Sequence, residues 1–273
     1  MLIVIVVYNK ELDGLDLVFN AAAKGQHIFV YDNSLISQEL SVAASNCIHY
    51  EHDPENNGVS RAYNRAAIKA KELGLNKILI LDQDTAFDLN MLKKYENAYE
   101  KHGDSFIYAP VVKNEVGGKI YSPAHFKSFV GKVQLIDEFT FNQIYSLDGK
   151  SLINSGLMIP LRVFDLIGGY NEKLKLDFSD VYFIEKYKKV ISNNVILVNA
   201  TLKHSISGDE GLDYERELNR FKFYCHATRE TSRSLGTLII WSPVRRLLRL
   251  VIKYKKISFV KIFWKFYIKG VPA

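Results

Sequence analysis

Cysteine is nearly missing: Cys47 and Cys225, far apart in the chain, are the two among 273 residues. They make no CxxC pair and no disulfide framework, which points to a reducing compartment. Long hydrophobic runs are missing as well. No uncharged apolar stretch approaches the ~20 residues that a membrane-spanning helix needs. The apolar start Leu2–Val7 has no basic flank before it and no small-residue cleavage site after it, so it reads as a strand and not as a signal peptide. There is no internal repeat and no low-complexity segment. Acid is absent from one region: residues 241–273 hold nine Lys and Arg and no Asp or Glu. The whole chain carries +6, so the 240 residues before that region carry −3. A mildly acidic body with a basic tail indicates that the tail meets something anionic. The remainder is ordinary globular composition, 48% hydrophobic and 24% charged, which excludes a disordered or collagen-like chain. The length suits one large domain or two small ones.

Hydrophobic periodicity orders the first 110 residues into alternating strands and helices. Strands are expected over 2–8, 27–31, 47–52, 77–81 and 105–112, each an apolar or β-branched run. Helices are expected over 12–24, 60–73 and 89–102, the second capped by Ser60 and ended by Gly74. Asp53-Pro54-Glu55-Asn56-Asn57-Gly58 is a loop by composition. Residues 113–150, with Gly117-Gly118, suit hairpins, and Asp137-Glu138 suit a solvated turn. A last strand is expected over 196–199, and helices from Asp213 onward. Alternation of this kind implies a mostly parallel α/β sheet, in which ligands bind beyond the carboxyl ends of the strands.

Two such ends carry acids. Asp32 closes the second strand, and Asp82-Gln83-Asp84-Thr85 follows Ile78-Leu79-Ile80-Leu81, the most apolar run of all. Side chains alternate along a strand, so Asp82 and Asp84 project to the same side. Two hard oxygen donors there suit Mg²⁺ or Mn²⁺, which typically joins one or two carboxylates to a substrate's phosphates.

The series Val7-Tyr8-Asn9, Tyr31-Asp32-Asn33-Ser34, Asn56-Asn57-Gly58-Val59-Ser60-Arg61-Ala62-Tyr63-Asn64 and Leu81-Asp82-Gln83-Asp84-Thr85 resembles the nucleotide-binding half of glycosyltransferase family 2, whose fold is GT-A. The Asp-Gln-Asp variant is most similar to the rhamnosyltransferase-like branch. Further matches follow in order: Asn154-Ser155-Gly156-Leu157, Gly168-Gly169-Tyr170-Asn171-Glu172, Leu176-Asp177-Phe178-Ser179-Asp180, Lys203-His204-Ser205-Ile206 and Tyr214-Glu215-Arg216. The resemblance covers about residues 1–235. It implies a GT-A domain over 1–235, with a nucleotide-sugar half at 1–112 and an acceptor half at 113–235, followed by a helical tail at 236–273.

The resemblance also implies roles. Asp32 would contact the nucleotide base, with Tyr8 and Asn9 lining the same pocket and Arg61 and Asn64 facing the nucleotide. Asp84 would ligate a divalent metal, Mn²⁺ or Mg²⁺, with Asp82 nearer the ribose and His204 completing the metal or diphosphate site. Asp180 would be the catalytic base. Asp177, Ser155 and Gly156 would stand near the acceptor or donor sugar. Two departures stand out: Lys186 occupies the place where the family usually has arginine, and the Ser205-Ile206-Ser207-Gly208 segment is one residue longer than usual. The implied function is inverting transfer of a sugar from a nucleotide-sugar donor (dTDP-rhamnose, or a UDP-sugar such as UDP-galactose) to a saccharide acceptor. That acceptor would be lipid-linked, in O-antigen or capsule assembly. A sugar-phosphate nucleotidyltransferase and a non-catalytic membrane scaffold are the rivals. Against the first, Asn9-Lys10-Glu11 stands where a Gly-rich phosphate loop would be.

In the tail, Arg245, Arg249, Lys253 and Lys256 share one helical face, and Val244, Leu247, Leu248 and Val251 are assigned to the other. Lys261, Lys265 and Lys269 repeat the pattern against Phe259, Ile262, Phe263, Phe266 and Tyr267, with Trp264 at the edge. Basic, aromatic-rich amphipathic helices suit an anionic membrane surface, which places the protein in the cytoplasm, peripheral on the inner face of the membrane. Packing of the tail on the body or on a partner subunit is the alternative, and a homo-oligomer is left open. No nucleic-acid module accompanies the charge, so nucleic acid is not expected as a partner.

Overall fold

The computed structural model describes residues 1–38, 46–114, 120–127, 132–135, 139–204, 213–236 and 239–273, with the backbone alone at Asp13, Lys132–Leu135 and His204. Gly117-Gly118, Asp137-Glu138 and Ser205-Ile206-Ser207-Gly208 lie outside the described residues.

The chain opens as β1 (Leu2–Val7), α1 (Asp16–Ala23), β2 (Ile28–Asp32), β3 (Ile48–His52), α2 (Val59–Glu72), β4 (Lys77–Asp82), β5 (Thr85–Ala86), α3 (Met91–His102) and β6 (Tyr108–Asn114). Short strands follow: β7 (Ile120–Ser122), β8 (Ala124–Lys127), β9 (Lys132–Leu135), β10 (Gln143–Ser146), β11 (Lys150–Ser151) and β12 (Met158–Pro160). The remainder is α4 (Leu161–Ile167), α5 (Ser179–Val190), β13 (Asn194–His204), α6 (Tyr214–Leu235), α7 (Trp241–Tyr254), α8 (Ser258–Ile262) and a π-helical turn at Phe263–Ile268.

The main sheet runs β10-β13-β6-β12-β4-β1-β2-β3. Its pairings β3-β2, β2-β1, β1-β4 and β6-β13 are parallel, while β12 lies antiparallel between β4 and β6. The strands at 2–82 therefore share one sheet with β10, β12 and β13 from the later part of the chain, while β8, β9 and β11 form a second, three-stranded sheet. β1 shows why this sheet is buried on both sides. Leu2 and Val4 join the core layer under α2, α4 and α5, and Ile3, Ile5 and Val7 join the layer under α1 and α3. All five are 0–1% exposed, each stabilising the fold by about 1.5–3 kcal/mol of apolar burial. The hairpins expected in 113–150 are present, since β7 pairs antiparallel with the end of β6 and β9 with β8, whereas β10 pairs antiparallel with the distant β13.

Three local expectations are corrected. The helix expected over 12–24 breaks into a 3-10 turn at Leu12–Gly14 and then α1. Ser60 does not cap α2. Gly58 holds the N-cap position, and the Ser60 hydroxyl donates instead to Leu174 O at 2.6 Å. The last strand is eleven residues long, not four. Val195–Val198 are buried continuously, but Asn199, Thr201 and Lys203 then alternate outward, and that polar alternation hid the second half.

The tail packs on the body, and one of its face assignments is corrected. Its apolar side is spent on the body: Leu250, Phe259, Phe266 and Tyr267 are buried with Phe221 and Cys225 of α6, and Leu247, Val251, Ile262 and Phe263 pack around them. Leu248, assigned to that apolar face, is instead 52% exposed beside the basic stripe.

Gly58 joins the first and second parts of the chain. Its φ of +92° suits glycine, and a Cβ there would come within 2.2 Å of Lys175 O, the carbonyl that accepts from Val59 N–H. Gly58→Ala is expected to cost about 3 kcal/mol or more by urea denaturation. Gly74→Ala, at φ +67° with open space around it, should cost only about 1–2 kcal/mol.

Candidate functional site

The carboxyl ends of β1, β2 and β4 converge, and short polar side chains knit them together. Tyr8 N–H donates to Gln83 Oε1 at 2.9 Å, Lys10 Nζ to Gln83 O at 2.8 Å, and Asn9 N–H to Ser34 Oγ at 2.8 Å. Gln83, the middle residue between the two acids, is thus the tie between β1 and β4, a role that the sequence reading did not assign. The Tyr8 ring is 52% exposed over this end, and Asp84 is exposed.

Asp32 lies behind this surface, fully buried. Its Oδ1 accepts from Ser34 N–H at 2.9 Å, and its Oδ2 from Tyr50 OH at 2.8 Å and Gln38 Nε2 at 3.1 Å. Burial pushes this carboxyl up, but the hydrogen bonds from Ser34, Tyr50 and Gln38 outweigh it and hold the group below the usual carboxylate range. Asp53 is set similarly by burial against Tyr31 and Asn57. Arg61 is exposed at the start of α2, where its charge acts on Tyr31 and Asp53. Asn64 turns to the other half of the chain. Its amide donates to Tyr170 O and Glu172 Oε1 and accepts from Tyr170 N–H.

The second group of acids lies where α5 begins. Phe178 takes φ +66°, an unusual left-handed turn for a bulky residue, and Ser179 and Asp180 then open the helix. Asp180 Oδ1 accepts from Val181 N–H at 2.7 Å. Burial pushes its carboxyl up to about 6, and the negative charges of Asp177 and Asp82 add to the rise. Asp82 from β4 and Asp177 and Asp180 from the α5 turn are therefore gathered into one electrostatic site. Tyr63 and Tyr170 stand in the same field; burial first, with the Asp82 and Asp180 carboxylates adding to it, keeps both phenols protonated.

Asn154 holds the floor. Its Oδ1 accepts from Tyr170 OH at 2.8 Å, its Nδ2 donates to Ser179 Oγ at 3.2 Å, and Tyr63 is a third partner. The next residue, Ser155, is buried, with its hydroxyl 2.7 Å from Thr85 Oγ1 just after the acid pair. Gly156 has φ +79°, and a Cβ there would meet Leu202 and Pro110 at 2.5 Å. Asn154, Tyr63 and Tyr170 lay inside motifs that the sequence made visible, yet their role comes from contacts between segments far apart in the chain.

β13 brings His204 to the same place along the backbone, in register with Thr85 of β5 and Asn114 of β6. Among the described residues no three His, Cys, Asp or Glu side chains cluster as a ready-made metal cage. The donor set still fits a hard divalent cation, which commonly takes only one or two carboxylates from the protein and fills its other positions with phosphate and water. Lys186 lies elsewhere. It lines a cavity of about 310 Å³ with Lys173, Tyr182 and Glu230.

Comparison with known proteins bears on the family and the fold. Over 181 residues, 65% of this chain, the sequence is 25% identical to the dTDP-rhamnosyl transferase RfbF of Shigella flexneri, of which the match spans 59%. Solved structures share the fold at low identity. GalNAc-T7 with UDP, GalNAc and Mn²⁺ superposes with a TM-score of 0.57 at 13% identity, over 99% of this chain and 56% of that one. S. aureus TarS in complex with UDP-GlcNAc gives 0.54 at 13%, over 98% and 74%. The mannosyltransferase PcManGT from Pyrobaculum calidifontis, with GDP-Man and Mn²⁺, gives 0.51 at 10%, over 99% and 75%. The central, mostly parallel sheet is that of the GT-A glycosyltransferases. Residues 2–166, more than half of the chain, match the family described as Glycosyl transferase family 2, and the chain belongs to that family.

Proposed function

We propose that this glycosyltransferase moves a sugar, with inversion, from a nucleotide-sugar donor to the hydroxyl of a saccharide acceptor, with Asp180 as the base. The observation that carries this reading is the Asp180 carboxyl, raised to about 6 and set beside Asp82 at the strand ends. A general base works best with a pKa near the operating pH. In the proposed step the acceptor O–H gives its proton to Asp180 as its oxygen attacks the anomeric carbon. The bond from that carbon to the diphosphate breaks on the opposite face, and the nucleoside diphosphate leaves.

A Mg²⁺ or Mn²⁺ ion held by Asp84, with His204 as a further ligand, would neutralise the charge that develops on the leaving diphosphate. The exposed Tyr8 ring offers a face for the base, with Asn9 next to it, and Arg61 at the start of α2 would face the nucleotide. Asp32 and Asn64, engaged within the chain, would serve the nucleotide by fixing the pocket wall and the start of α2. Asp177, Ser155 and Gly156 border the sugar. The relative named as a dTDP-rhamnosyl transferase supports dTDP-rhamnose as donor. UDP-galactose or a related UDP-sugar is the second candidate. We place the acceptor on a lipid, in O-antigen or capsule assembly, with the enzyme peripheral on the inner face of the membrane. The acid-free basic tail supports that placement. No described helix is long and apolar enough to cross a membrane.

Three outcomes test this. A thermal-shift panel of nucleoside diphosphates and nucleotide sugars should show a Mn²⁺-dependent rise selective for one base, and Asp84→Ala should remove it; no rise with any nucleotide would sink the reading. Asp180→Asn should lower turnover by about 10²–10⁴-fold while nucleotide affinity stays unchanged.

The pH dependence has a defined sign. Asp180 must be ionised to act, so kcat should rise as pH climbs through about 6, and Asp177→Asn should move that limb to lower pH. Because the folded carboxyl binds its proton more tightly than an unfolded one at 3.8, it contributes stability at low pH that is lost as pH rises towards about 6. Rate profiles and chemical denaturation across pH 4–8 check both signs.

A further inference from the structure

With its apolar side consumed by α6, the tail still presents a second amphipathic surface, made of outward-facing residues alone. On α7, Trp241, Arg245, Leu248, Arg249 and Ile252 fall within about a third of the helix circumference, which places them in a single stripe, and Lys256 follows just beyond the helix end. All six are exposed, Trp241 by 50%, Leu248 by 52% and Ile252 by 74%. The opposite face, with Pro243 and Leu250, is buried. The same spacing recurs in the next segment. Ile257, Val260, Lys261, Trp264 and Ile268 are exposed, while Phe259, Phe266 and Tyr267 point into the body.

Each stripe alternates large apolar side chains with basic ones and carries one half-exposed tryptophan. Trp241 and Trp264 are the two tryptophans of the whole chain. A surface built only for solubility has no use for Ile252 and Ile257 at 70% exposure or more. A protein–protein core would be depleted of Lys. A phospholipid interface suits all three side-chain types at once. Tryptophan rings settle at the headgroup level, aliphatic tips enter the acyl boundary, and Lys and Arg reach the phosphates with their stems along the apolar surface.

The geometry points to these two outer stripes as a docking surface for an anionic phospholipid bilayer. The inner face, which the sequence pattern favoured for that role, is structural. This proposal rests on the membrane-peripheral reading above and specifies which residues carry it. Nine basic residues without one acid in 241–273 supply the charge complementarity, and the −3 of the body sets an orientation in which the tail faces the lipid.

The test uses the full chain and its own tryptophans, both of which lie in the stripes. Intrinsic emission is followed while vesicles are added, either pure phosphatidylcholine or phosphatidylcholine with 30% phosphatidylglycerol, about a composition that gives a strongly negative surface. The expected result is a blue shift and co-sedimentation with the anionic vesicles only, weakened by salt. Arg245→Gln with Arg249→Gln and Lys261→Gln should reduce vesicle partitioning by roughly tenfold or more. Those changes should leave metal-dependent nucleotide binding as it is. Leu248→Ser with Ile252→Ser, exposed positions whose loss removes no core contact, should weaken partitioning even at low salt.

No shift with anionic vesicles overturns the proposal. So does a blue shift that appears on raising protein concentration without lipid, which assigns the stripes to a second copy of the chain. Binding to duplex RNA as tight as to the vesicles overturns it too. Vesicle binding that persists in a protein without nucleotide binding would sink the transferase reading alone and leave this surface standing.

Discussion

One half-buried amide fixes the geometry on which the site depends. Asn154 sits where α2, the Gly168–Tyr170 turn and the start of α5 meet, and it hydrogen-bonds Tyr63, Tyr170 and Ser179 from those three segments. Aromatic packing locks the same junction: Tyr170 stacks on Phe183 at 4.2 Å and meets the edge of Tyr63 at 4.8 Å. Each hydrogen bond is worth about 1 kcal/mol net, but leaving a buried partner unsatisfied costs about 1–3 kcal/mol. The junction therefore favours one arrangement. That arrangement sets the distance between Asp82, delivered by a sheet strand, and Asp180, delivered by a helix start almost a hundred residues later.

The charge pattern that results is unfavourable by itself. Asp82, Asp177 and Asp180 share a partly desolvated site, and the rise of the Asp180 carboxyl to about 6 expresses that repulsion together with burial. A diphosphate would be repelled from such a place. The nearby cations are otherwise engaged: Lys10 at the β1 end donates to Gln83 O, and the charge of Arg61 at the α2 start acts on Tyr31 and Asp53. A divalent cation between acids and diphosphate removes the conflict, because it is attracted to both. The same electrostatics that raise the Asp180 carboxyl thus argue for a cation in the proposed donor complex.

The fold was largely legible because buried parallel strands write themselves as continuous apolar runs. Leu2–Val7 and Lys77–Asp82 needed only that signal. The acids at the strand ends were legible for the same reason, since a polar residue directly after such a run must stand at the sheet edge. What escaped was set by contacts between distant segments. Nothing near Gln83 announces that its amide will tie Tyr8 to the β4 end, and nothing near Asn64 says that it will clamp Tyr170. β13 was read short because its second half switches from burial on both faces to burial on one. In the tail, helical spacing separated two faces correctly in kind but placed Leu248 on the wrong one. Only the position of α6 decides which stripe is inside.

The tail is also tied to the Asp180 turn, through its inner face. Ser242 hydrogen-bonds the Tyr224 hydroxyl, and the Arg246 guanidinium lies 4.5 Å over the Tyr224 ring. Tyr224 in turn meets Phe178 edge-on at 5.5 Å, one residue before Ser179 and two before Asp180. Phe178 holds a left-handed backbone that a bulky residue adopts only when its surroundings impose it. Further along, Arg229 donates to the carbonyls of Tyr267 and Ile268, and the closely packed Gly270 leaves room for its guanidinium. Glu217, buried in α6, faces Arg246 and Lys253 of α7. A segment pinned at so many points is part of the scaffold that shapes the Asp180 turn. Its apolar inner residues are therefore explained by folding alone, and only the outer stripes require a reason from outside the molecule.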